Sequence, residues 1–237
     1  MVDGDILLLA LEDILPVALS AVGFVVLTRT SRRLDGRAAG HVAAGALLIV
    51  AGGLTKPVFK LLLAFGAIEA DMLWLDDALF WLLAPGFLIA SAGLWRAGRR
   101  DLSRPVGSGR WGVIGAFAVL AAATGAAVAG SEAWFFVLLT VATVGNVLAI
   151  AALVSWVRGR GDRLAAALFA GNLILIFGLA GAAAVLEQTF PAQLGEQLVS
   201  TVAQGMFMWA SIRLATAVSQ GSGPVARETA AAQTKSG

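Results

Sequence analysis

The chain has 237 residues, of which 59% are hydrophobic and 14% charged, with a net charge of +2. A soluble domain carries about a quarter charged residues, so a soluble enzyme with an anchor is excluded, and so small a net charge gives no reason to expect a nucleic-acid partner. There is no Cys and a single His, His41; disulfides, thiolate metal sites, bis-histidine haem and a histidine-rich zinc centre are excluded, and no metal or cofactor is expected.

Seven apolar runs, each near the ~20 residues that cross a hydrocarbon core of about 30 Å, predict an all-α integral membrane protein. The predicted helices are 6–28, 41–66, 72–95, 111–129, 133–157, 164–186 and 194–217. They form one domain over 1–217, followed by a flexible tail over 218–237 that is rich in Ser, Gly, Ala, Thr and Gln and has little to bury. The N-terminus, Met1-Val2-Asp3-Gly4-Asp5, lacks the basic region of a cleaved signal peptide, so the first run is expected to be retained.

The first helix carries Glu12, Asp13 and Pro16, and the second carries Lys56, Pro57 and Lys60. The third starts near Asp76 and Asp77 and contains Pro85. Proline removes a backbone donor and favours a kink, and in lipid the freed carbonyl needs protein or water beside it. Three such helices in succession suggest an opening on one side. The fourth and sixth helices, with Gly115, Gly125, Gly171, Gly178 and Gly181, are read as close-packing elements or an oligomer interface. Asn146 lies within the fifth helix and Asn172 within the sixth. On the seventh, Gln197, Ser200, Thr201, Gln204 and Ser211 recur at helical spacing along one face.

Basic and non-basic connections alternate. Arg29–Arg37, Arg96–Arg110, Arg158–Arg163 and the segment from Arg213 onward hold every Lys and Arg except Lys56 and Lys60. The other connections hold Asp3, Asp5, Glu69, Asp71, Glu132, Glu187 and Glu196. The positive-inside rule then predicts an N-terminus outside, a C-terminus in the cytoplasm and residence in the plasma (inner) membrane. Trp74 and Trp134 fall at predicted outer ends, and Trp95, Trp111 and Trp156 at inner ends, as interfacial belts require. Trp81 and Trp209 fall within spans and are assigned to the bundle interior.

At 1.5 Å per residue, Lys56 lies about 22 Å along its helix, in the outer third of the core. Glu12, Asp13, Asp76 and Asp77 come to a similar level. Lys56 and Lys60 share a face. Intramembrane charges are costly and usually paired, so Lys56 is expected to touch Asp77, Asp76 or Asp13, and Lys60 to snorkel to the outer surface. The cluster Lys56, Lys60, Asp13, Glu12, Asp76 and Asp77 reads either as a helix lock or as a ligand site. Gln204, Thr201, Gln197, Asn146 and Asn172 read either as interhelical hydrogen bonds or as a polar path leading inward from that site.

Seven helices with the N-terminus outside resemble the rhodopsin layout. Ala203-Gln204-Gly205-Met206-Phe207 resembles the Ala-Lys-x-Gly-Phe stretch of microbial rhodopsins, but Gln204 stands where the retinal lysine would be, and the Asp-Trp-x-x-Thr-Thr-Pro pattern of the third helix is missing. The resemblance implies a bundle without chromophore. Thr55-Lys56-Pro57 is similar to a Lys-Pro step of the membrane-bound lysoplasmalogenase family, whose paired aspartates on separate later helices are not evident. No phosphate loop or Gly-x-Ser-x-Gly occurs. The residues favour a protein that binds, senses or transports a small molecule or proton through an outward-facing charged pocket over an enzyme. A structural subunit of a membrane complex is the alternative, and a lipid hydrolase using Asp76 or Asp77 with Lys56 is the third reading. Expected partners are membrane lipids and either a second copy or a membrane-complex subunit.

Overall fold

The computed structural model describes residues 4–67, 74–107, 110–183 and 190–221, and the side chains of these except 4–9, 74–77, 183, 190 and 221. The acidic residues Asp3, Glu69, Asp71 and Glu187, and the side chains of Asp5, Asp76 and Asp77, therefore lie outside the described residues. Among the described residues there are seven helices: α1 Gly4–Leu34, α2 Gly36–Ala64, α3 Trp74–Asp101, α4 Arg110–Val128, α5 Ala133–Gly159, α6 Arg163–Ala183 and α7 Phe190–Gly221. No strand occurs among the described residues. Six helices, α1 to α6, contain stretches long and apolar enough to cross a membrane, which makes this a multi-pass membrane protein.

The helices outrun their apolar segments. Where a connection of twelve residues was expected between the first two, one residue, Asp35, separates α1 from α2. Asp35 is extended (φ −158°, ψ 114°), and its carboxylate accepts from the amides of Arg37 and Ala38 at 2.8 and 3.1 Å. It thereby caps α2 in the manner Asp is suited to. Hydropathy marks where the lipid ends, whereas backbone hydrogen bonding carries the arginine-rich turns on as helix. For the same reason α7 continues to Gly221, beyond its expected end at 217.

The ring around the bundle axis runs α1, α2, α3, α5, α6, α7 and back to α1, with α4 lying outside against α3 and α5. The C-terminal ends of α3 and α5 meet through Asp101 and Arg160, so these ring neighbours are parallel. So are α1 and α7, whose ends meet where Arg33 donates to Ser219 at 2.6 Å. All the arginine-rich stretches gather at this one end, with Lys56 and Lys60 toward the other.

Between membrane helices, packing geometry rather than the hydrophobic effect decides association. The backbones of α2 and α3 approach closely at two glycines. A Cβ on Gly45 would lie 2.5 Å from the Ala90 nitrogen and the Gly86 oxygen, and one on Gly93 would lie 2.8 Å from the Val42 nitrogen. This corrects the emphasis on the fourth and sixth helices. Gly125, Gly178 and Gly181 face open space, Gly115 meets only the end of Leu88, and Gly171 meets only the flexible tip of Met206. Gly112, near the start of α4, is the one tight glycine there, against Leu88 and Ala92. Two tryptophans also depart from expectation. Trp209 is 53% exposed on the outer face of α7, and Trp156 is buried in the core. Trp81 stacks on Trp134 with ring centroids 5.7 Å apart, beside the α3–α4–α5 junction.

Candidate functional site

All six ring helices contribute to an interior cavity of about 320 Å³, which falls at the small end of the range typical of small-molecule sites. Its wall is graded. Asp13 and Lys56 stand at one end, near Pro16 and Pro57. Asn146, Asn172, Gln197, Ser200 and Gln204 follow along α5, α6 and α7. Phe24, Phe87, Leu94, Ile150, Leu153 and Phe207 line the deeper part. Placing Pro16 and Pro57 on the cavity and burying Pro85 in protein keeps all three away from lipid, where an unpaired carbonyl would be costly.

The lysines divide the labour differently from the expectation. Lys60 donates to Asp13 at 2.6 Å, and the two side chains are 18% and 8% exposed. Lys60 therefore turns inward to a partner, whereas Lys56 is exposed at the cavity wall with no ion pair among the described residues. The contact expected between Lys56 and Asp76 or Asp77 lies outside the described side chains. Glu12 does not line the cavity; its Oε2 is buried without a hydrogen-bond partner among the described residues.

Four of the five residues of the polar path line the cavity: Gln204, Gln197, Asn146 and Asn172; Thr201 does not. Asn172 is buried, and its Nδ2 donates to the Ala203 carbonyl at 2.9 Å, joining α6 to α7. This one amide is thus an interhelical hydrogen bond as well as part of the wall. Ser200, on the same α7 face, is also on the wall. Ser211 is buried and returns its hydroxyl to the Phe207 carbonyl at 2.8 Å.

Toward the arginine end the cavity is bounded by an aromatic cluster, with a layer of ion pairs beyond it. Phe207 packs against Phe24 and Phe169, with centroids 5.0 and 5.9 Å apart. Beneath these rings, at the arginine end, three ion pairs tie the ring helices together. Arg96 Nε meets Asp35 at 2.8 Å. Arg160 forms a two-pronged pair with Asp101, its Nε at 2.7 Å and its Nη2 on the other oxygen. The same carboxylate accepts from Trp156 Nε1 at 2.8 Å, and Arg160 Nη1 reaches the Ala217 carbonyl at 3.0 Å. Arg213 pairs with Asp162 at 3.1 Å, while Asp162 also accepts from the Ala165 amide at 3.0 Å and so caps α6. Sequence reasoning assigned no role to Asp35, Asp101 or Asp162. Their signal was a single acid at a helix boundary within each arginine-rich stretch.

Burial opposes ionisation of Asp35, but the bond from Arg96 and the amides of Ala38 and Arg37 outweigh it, and its pKa falls below the ordinary 3.8. Asp162 behaves alike: burial is overcome by the Ala165 amide and Arg213. Arg160 is raised, chiefly by its hydrogen bond to Asp101, against burial. Because the native carboxylates bind protons less readily than the unfolded ones, their contribution to stability is complete above 3.8 and is lost as pH falls through the lowered native values. The unfolding temperature in detergent, followed by tryptophan fluorescence, should owe these two pairs no change between neutrality and about pH 5 and a progressive fall below about pH 4. In the double variant Asp35→Asn/Asp162→Asn, which keeps capping side chains, that acid limb should be shallower; an unchanged limb would show that the two pairs carry no pH-linked stability.

Among the described residues no group of three or more His, Cys, Asp or Glu side chains is placed to hold a metal ion. No protein-family model matches the chain, and no curated protein or solved structure matches it.

Proposed function

We propose that this protein spans the plasma membrane seven times, with its N-terminus outside and the arginine end in the cytoplasm, and binds a small molecule from the outer side to sense or transport it. The observation that carries this reading is the graded cavity, charged and amide-lined toward one end and closed by aromatic rings and ion pairs at the other. The arginine distribution orients it. Helix α7 falls short of the apolarity of the other six, yet its polar residues Gln197, Ser200 and Gln204 face the cavity while Leu198, Val202 and Trp209 are exposed on its outer side. That two-sidedness suits a helix whose polar face lines an interior site. An accessory role in a complex, and hydrolysis by Asp76 or Asp77, have no comparable observation behind them.

The chain's lack of Cys makes the test direct. In intact cells, Gln204→Cys should react with a membrane-impermeant maleimide added outside, and Ser211→Cys, below the aromatic layer, should not. Reaction of Gln204→Cys only from the cytoplasmic side would invert the reading, and no reaction from either side would remove the water-accessible pocket.

A further inference from the structure

We infer that the cavity is built for an elongated amphipathic anion, with its acidic head at Lys56 and its hydrocarbon tail reaching down to Phe24 and Phe207; this rests on the outward-facing pocket just proposed. The charges that line the cavity point to the head group. Asp13 is already neutralised by Lys60 at 2.6 Å, so Lys56 is left as the cavity's unpaired cation among the described residues. A lysine held in the membrane zone without a counter-charge is costly, and an anionic ligand would supply that charge.

The deeper lining points to the tail. Phe87, Ile150, Leu153 and Leu94 offer a polar ligand no hydrogen bonds, so a compact polar solute would lose hydration there without replacement. From Asp13 to Phe24 the wall extends along α1 for about 16 Å at 1.5 Å per residue. A wall of that length can run beside a medium-length alkyl chain. At different depths on the wall, Asn146, Gln197 and Gln204 form no hydrogen bond within the described protein, which leaves them available to a hydroxyl or carbonyl borne on that chain.

The test uses full-length Gln204→Cys protein in phosphatidylcholine nanodiscs, with maleimide labelling as the readout and decanoate, decanol, decylamine and propionate as probes below their micellar concentrations. Decanoate should slow labelling by about tenfold or more, decanol less, and decylamine and propionate hardly at all. Adding Lys56→Gln should lower decanoate's potency by about tenfold and leave decanol's unchanged, and Lys56→Arg should restore it, since each tenfold step is the scale of one charge-assisted contact. Equal protection by all three decyl compounds would overturn the anionic head, as would an unaltered response to decanoate in Lys56→Gln. Protection by propionate alone, or by none of the probes, would overturn the amphipathic ligand while leaving the pocket itself standing, provided Gln204→Cys is labelled from outside. If it is not labelled from outside, the pocket reading fails first.

Discussion

Arg160→Ala should destabilise the bundle by about 3 kcal/mol, the lower end of what removing one partner from a buried ion pair costs. The lower end applies because the Arg160 side chain is still 20% exposed, whereas that of Asp101 is 3% exposed. Without the guanidinium, the Asp101 carboxylate keeps only the Trp156 indole as a donor among the described partners, and the Ala217 carbonyl loses the donor at the end of α5. Removing both charges with shape-conserving side chains, Asp101→Leu with Arg160→Met, should recover most of the loss, because no unpaired charge then remains buried. Unfolding in mixed micelles, monitored by tryptophan fluorescence, would measure both. A loss below about 0.5 kcal/mol in Arg160→Ala would place this pair among surface pairs of little worth.

The second large effect concerns Gly45. A Cβ there would stand 2.5 Å from backbone atoms of α3, and backbone cannot yield as a side-chain tip does. Gly45→Ala should therefore cost about 1–3 kcal/mol through overpacking, and Gly45→Leu should prevent α2 and α3 from seating at all. Gly178→Ala is the matched control. Its Cβ would meet nothing within 4 Å, and alanine's higher helix propensity should make the change neutral or slightly favourable. The same unfolding assay reads all three, with the yield of monodisperse protein as a second measure. Equal tolerance of Ala at positions 45 and 178 would mean that α2 and α3 separate without penalty.

The helices were legible from hydropathy, and all seven appear with ends that differ by at most six residues from expectation. The larger differences lie at the arginine end, where charged turns stay helical outside the apolar zone. That Asp13 faces the lysines of α2 was legible too, but which lysine it pairs with was not, and the reason is geometric. With Asp35 as the turn, Asp13 is 22 residues before it and Pro57 is 22 residues after it. Asp13 therefore stands opposite Pro57, with Lys56 and Lys60 on either side, and spacing alone does not say which lysine reaches it. Rotation of α2 about its axis decides in favour of Lys60. Glycine content misled in a related way. It counts small residues without saying which face they occupy, and those of α2 and α3 face each other whereas most of those in α4 and α6 do not. The acids at the arginine end were not legible as pairing partners, because each is a single carboxylate among several arginines and spacing alone does not say which of them it meets.

The position of α4 outside the ring has a consequence for how the chain is threaded. Two ring neighbours, α3 and α5, point the same way, and a polypeptide leaving the first must return across the membrane before starting the second. Helix α4 is that return journey. It contributes no residue to the cavity wall, yet without it α5 would enter inverted and carry Arg160 to the opposite surface from Asp101. The fourth helix is therefore a matter of route rather than of wall.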